Sequence, residues 1–129
     1  MKYLFALLFS LSFVQFTNAQ TERIERRAEV NEAELMYRSE EIAKKEFAIS
    51  LDRYAEAVRI LDQESQDIIL RDIIIHMEKM VKAEKYRLKD VEQGKQAEAK
   101  TAVTEKNRLI KQIQASDDSQ QILRMLEKF

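Results

Sequence analysis

The sequence predicts an all-α protein: a long antiparallel helical hairpin, coiled-coil-like, with a short C-terminal helix packed back on it. Three observations carry that reading. The 129 residues contain no proline and a single glycine, Gly94. Ala, Glu, Lys, Arg, Gln and Leu, the residues that cost least in a helix, dominate the chain. Apolar residues then recur at three- and four-residue steps over long stretches, which is the spacing of one buried helix face.

The first nineteen residues stand apart. Lys2 precedes an apolar run from Leu4 to Val14, and a more polar stretch ends in Thr17-Asn18-Ala19. A charged start, a short apolar core and small residues before a cut site form the pattern of a cleavable secretory signal. The run is about half the roughly 20 residues a spanning helix needs. The expectation is a signal over 1–19 and one α-helical domain over 20–129, exported, and periplasmic if the source is a Gram-negative bacterium. The signal holds one of the 22 basic residues and none of the 23 acidic ones, so the remaining chain carries 21 against 23. No cysteine is present, so neither a disulfide nor a lipid-anchored cysteine is available.

The first helix is expected over about 21–61. Ala43, Phe47, Leu51, Tyr54, Val58 and Leu61 step by 4, 4, 3, 4 and 3, whereas Ile24, Ala28, Val30, Ala33, Met36 and Tyr37 make a thinner face. At about 1.5 Å per residue such a helix approaches 60 Å, a rod rather than a member of a short bundle. Asp62 to Asp67 is polar and reads as a turn, with Asp62 and Ser65 able to cap the next helix.

Helix 2 is expected over about 65–93, continuing or restarting to 114. Its Ile68, Ile69, Leu70, Ile73, Ile74, Ile75, Met77, Met80 and Val81 make an apolar face wide enough for more than one neighbour. The isoleucines would suit a strand through 68–77, but Asp67, Arg71, Asp72 and Glu78 keep helical spacing. Gly94 is a stop signal or a weak point costing about 1 kcal/mol. Ala115 to Ser119 breaks the chain again, and Ile122, Leu123, Leu126 and Phe129 give the last helix, about 118–129, one apolar side. The run Glu64-Ser65-Gln66-Asp67-Ile68 is echoed by Asp118-Ser119-Gln120-Gln121-Ile122, read here as helix-start chemistry used twice, with serine as the cap.

The chemistry this chain can perform is narrow. Lys and Arg alternate with Glu and Asp, and six i,i+4 pairs (Glu40/Lys44 and Asp67/Arg71 among them) run acid first, the favourable order on a solvated helix. That leaves no basic face for nucleic acid. One histidine, no cysteine and no glycine-rich loop leave no nucleophile, base and orienter set, so no enzyme and no cofactor are expected. The sharpest chemical cluster is His76, Met77 and Met80, whose imidazole and thioethers suit a soft metal such as Cu(I); as plain structure, the two methionines continue the core face. Tyr37 and Tyr86 are aromatic anchors available to a partner. Contact of residues 118–129 with a membrane surface is disfavoured by Asp117, Asp118 and Glu127, which repel anionic lipid.

At the first turn, Leu61-Asp62-Gln63-Glu64-Ser65 is similar to the Leu-Thr-x-x-Gln turn of small exported helical stress chaperones at one of three defining positions. Asp62 and Ser65 replace the threonine and the glutamine, and no family is assigned on it.

Two long helices alone bury little surface for a chain of this size. The width of helix 2 therefore predicts a protein partner or a second copy, a homodimer, on Ile69, Ile73, Ile74, Met77, Met80 and Val81, with Tyr37 and Tyr86 beside them. The function expected is that of an exported non-enzymatic interaction protein: a scaffold, adaptor or chaperone-like binder. The alternative is a periplasmic soft-metal binder at His76, Met77 and Met80.

Overall fold

The structure, a computed structural model, describes the backbone from Asn18 and the side chains from residue 31 to Phe129. Most of the expected signal, residues 1–17, lies outside the described residues. The chain divides into two compact units, residues 1–35 and 36–129. In the first, the backbone is helical from Asn18, through the expected cleavage point after Ala19. The hydrophobic core lies in the second.

Four α-helices and no strand are found among the described residues: α1 (Asn18–Arg59), α2 (Gln63–Arg87), α3 (Gln96–Ala115) and α4 (Ser119–Lys128). Short 3-10 turns at Leu88–Asp90 and Gln93–Lys95 join α2 to α3. The all-α class read from composition and periodicity is the class that forms, and the isoleucine run at 68–77 is helical.

The first turn is tighter than its polar sequence suggests. α1 ends at Arg59, and Leu61 adopts φ 58°, the left-handed region. Asp62 N–H donates to Ala57 O at 3.0 Å and Leu61 N–H to Val58 O at 3.2 Å. That pair of bonds is a Schellman stop with leucine in the position glycine usually takes. Asp62 then caps α2: Oδ1 accepts from Ser65 N–H at 3.1 Å and Oδ2 from the Ser65 hydroxyl at 2.6 Å. The helix expected from about 65 therefore starts at Gln63, two residues earlier, within the polar stretch read as a turn. The cap of α4 is Asp118, accepting from Gln120 and Gln121 N–H. Aspartate, and not serine, caps both helices. The sequence echo is out of register with that job, because Glu64, the counterpart of Asp118, already lies inside α2.

The break between α2 and α3 owes nothing to glycine freedom. Val91 and Glu92 are extended, Gly94 has no positive φ, and a Cβ built on it meets nothing within 4 Å. α3 restarts at Gln96 and packs against α2, where Lys106 pairs with Glu84. The wide apolar face of α2 thus finds a second neighbour in its own chain. Ala43, Tyr54 and Val58 from α1, Ile73, Met77, Met80 and Val81 from α2, Val103, Ile110 and Ile113 from α3, and Ile122 and Leu126 from α4 form one buried cluster.

Candidate functional site

The residues expected to carry a partner or a metal divide into two groups. Ile73 and Met77 are fully buried, and Met80 and Val81 are buried with them. Ile69 and Ile74 are half-buried and pack on the same cluster. In the folded chain Ile73, Met77, Met80 and Val81 are therefore core, while Ile69 and Ile74 keep part of their surface open. Met77 and Met80 belong to that buried cluster, and His76 stands outside it. His76 is half-buried, and its Nδ1 is covered without a hydrogen-bond partner. Among the described residues no group of three or more His, Cys, Asp or Glu is placed to hold a metal.

Tyr37 and Tyr86 do meet, with ring centroids 6.4 Å apart in a T-shaped contact. A cation covers each ring: Arg87 lies 4.7 Å from the centroid of Tyr37 and Lys89 3.6 Å from that of Tyr86. One face of each half-buried ring is therefore covered within the chain. The apolar side of α4 is filled too, with Ile122 and Leu126 buried and Leu123, Met125 and Phe129 packed on the core. No helix among the described residues is long and apolar enough to cross a membrane.

Beside the tyrosines is an ion pair missed at the sequence level. Glu40 is 3% exposed although it is a carboxylate. Arg87 Nη1 donates to its Oε1 at 2.9 Å, and Arg87 Nη2 sits 2.6 Å from Oε2, close but too poorly aligned for a hydrogen bond. Lys44 approaches Oε1 at 3.0 Å. Burial pushes the Glu40 carboxyl up, and the hydrogen bonds and charges of Arg87 and Lys44 outweigh it, holding the group below the ordinary glutamate range. The signal was present in the spacing: Met36, Glu40, Ala43 and Phe47 step by 4, 3 and 4, so Glu40 occupies a core position of the α1 stripe.

A cavity of about 220 Å³ opens next to this pair, lined by Glu40, Lys44, Phe47, Met80, Glu84, Lys106 and Phe129. Its charges already neutralise one another, Lys44 with Glu40 and Lys106 with Glu84. No unpaired cation or anion on its wall is left to select a charged ligand. At the opposite end of α1 a buried amide ties three helices together. Gln66 Nε2 donates to Ala57 O at 3.1 Å, and its Oε1 accepts from the Ser119 hydroxyl at 2.5 Å. Tyr54 sits in the same nest. Burial pushes its phenol above the usual range, the Asp67 and Asp118 charges add to that, and the Ser119 hydroxyl partly offsets it.

The open surface lies elsewhere. Ile42, Ile49 and Ile60 on α1 are 61%, 48% and 54% exposed, and Ile68 and Ile75 on α2 are 55% and 48% exposed. A shallow groove lined by Asp52, Arg53, Glu56, Ala57 and Ile60 of α1, Asp62 of the turn, and Ser65 and Ile69 of α2 marks one flank of the helix pair. Ile49 precedes Arg53 by four residues and Ile60 by eleven, and Ile42 lies seven further back, so both continue the α1 side of that flank. Asp72 and Lys79 follow Ser65 at seven and fourteen residues, with Ile68 and Ile75 beside them on α2. Single exposed isoleucines are ordinary; here three on α1 and two on α2 are exposed away from the buried cluster. Comparison of the chain with family models, curated proteins and solved structures returned no match.

Proposed function

We propose that this chain is an exported, non-enzymatic helical interaction protein that binds protein through the isoleucine flank of α1 and α2. The observation that carries the reading is the contrast on α2. Its Ile/Met face is enclosed by α1, α3 and α4, while Ile68 and Ile75, on another side of the same helix, remain half exposed together with Ile42, Ile49 and Ile60. Burying apolar area of that kind against a partner supplies the free energy of association. Leu61 belongs to the same picture. It is 84% exposed at the turn and held at a positive φ, a conformation that costs a branched side chain about 1–2 kcal/mol. Strain kept at an exposed apolar residue fits a contact made outside the chain.

In this reading α1 and α2 form an antiparallel hairpin with α4 folded back on it. The pairings of Ala57 with Gln66 near the turn and of Glu40 with Arg87 far from it support that arrangement. Export rests on the pattern of residues 1–19.

The test is a photo-crosslinking residue placed at 49 or 75 in living cells that make the protein. Adducts of discrete mass are expected from those positions and not from 100 or 111, exposed sites on α3. Equal labelling from both pairs, or none from either, contradicts the proposal.

A further inference from the structure

We infer that the occupant of the isoleucine flank is a second copy of this chain, docked about a two-fold axis that crosses α1 at Ile49 and α2 at Ile75. This deepens the interaction reading above and rests on it. A two-fold interface must be self-complementary, with each residue on the patch meeting its opposite number in reversed order.

The positions around the axis have that property on both helices, whereas Ile42, Ile60 and Ile68 come opposite Glu56, Arg38 and Lys82. On α1, Glu46 lies three residues before Ile49 and Arg53 four residues after it; on α2, Asp72 lies three before Ile75 and Lys79 four after it. Each helix therefore repeats acid, isoleucine, base along the same side. Against an antiparallel copy, Glu46 meets Arg53 and Arg53 meets Glu46, while Asp72 meets Lys79 in the same way. All four side chains are exposed, and none takes part in an ion pair within the chain among the described residues.

One axis serves both helices. Ala57 pairs with Gln66 and Glu40 with Arg87, and midway between those contacts residue 48 or 49 of α1 lies level with residue 76 or 77 of α2. Ile49 and Ile75 thus stand at nearly the same height, as a single crossing axis demands. The five isoleucines, each about half exposed, offer on the order of several hundred Å² of apolar surface, comparable to the largest patch on an ordinary soluble monomer. Flanking charge and helix surface would extend this toward the roughly 800 Å² per partner of a standard interface. The pattern also disfavours a parallel copy, in which Glu46 would face Glu46 and Arg53 would face Arg53.

Sedimentation equilibrium of the purified chain over a range of concentrations tests the assignment. The wild type is expected to reach twice the chain mass. Ile49→Asp should remain a helical monomer, since residue 49 is outside the core. Glu46→Arg and Arg53→Glu should each weaken the dimer roughly tenfold or more, because two like-charge contacts replace two pairs. The combined Glu46→Arg/Arg53→Glu chain should recover to near the wild-type dissociation constant. A wild type that stays monomeric, or single reversals that the combined change fails to rescue, overturns the proposal. The crosslinker at 49 separates the two levels: an adduct to a different protein removes the second copy and keeps the interaction reading, while no adduct at all removes both.

Discussion

Arg87 reaches Glu40 with both terminal nitrogens, closing an ion pair between residues 47 apart in the chain at the end of the core where Tyr37 and Tyr86 meet. The carboxylate is enclosed and the guanidinium is 42% exposed on one side. The pair therefore gains from a lowered dielectric around Glu40 while remaining partly screened at Arg87.

Replacing Arg87 by methionine leaves the buried Glu40 with Lys44 alone. The cost expected at neutral pH is about 1–2 kcal/mol after allowance for screening. The sign of the pH dependence follows from a carboxyl held below its ordinary range. The wild type has this stabilisation in full above the ordinary glutamate pKa of about 4.3, and loses it as the pH falls through the lower folded value. Denaturant unfolding of the two chains should show a gap that narrows in acid; a gap constant from neutral to acid pH would contradict this role.

Leu61→Gly should stabilise the chain. The left-handed conformation costs leucine about 1–2 kcal/mol, and glycine returns part of that gain through its unfolded-state freedom, leaving about 0.5–1 kcal/mol. Thermal unfolding checks it. A loss of stability would mean that Leu61 makes contacts its exposure does not suggest.

Gln66→Leu removes one donor from Ala57 O and the acceptor of the Ser119 hydroxyl, a change expected to cost about 1–2 kcal/mol. Ser119→Ala alone should cost less. The double variant should lose less than the two singles added together, since both break one bond. Strict additivity in urea unfolding would show that the two residues act separately.

Gly94→Ala should be neutral or stabilising by up to about 1 kcal/mol. The residue has an ordinary negative φ, and the added methyl meets open space. Destabilisation in a thermal melt would restore the reading of Gly94 as the residue that stops α2.

The periodicity of Ala43 to Val58 and of Ile122 to Phe129 made α1 and α4 legible, because those helices bury a single narrow stripe. Helix 2 was harder. Its apolar residues spread around more than one side, and periodicity alone does not say whether the extra width faces another helix of the same chain or solvent. The charged spacing helps only in part: Asp72 and Lys79 border Ile68 and Ile75, but Glu84 follows Met80 by four residues on the core side as well. The break at Val91 and Glu92 has no sequence signal of its own, since neither residue is a helix breaker and the residue that is one, Gly94, lies two positions further on. Glu40 was visible as an i,i+4 partner of Lys44, but its remote partner Arg87 could come only from the tertiary contact.

The most direct test of the division between inner and outer sides of α2 is to unfold Met77→Ala and Ile75→Ala in the same dilute solution. Met77 is fully enclosed, so its truncation should cost about 2–5 kcal/mol, whereas the half-exposed Ile75 should change the stability of the single chain by about 0.5 kcal/mol or less. The reverse order, with Ile75→Ala the damaging change and Met77→Ala tolerated, would contradict the account and return the Ile/Met face to the surface.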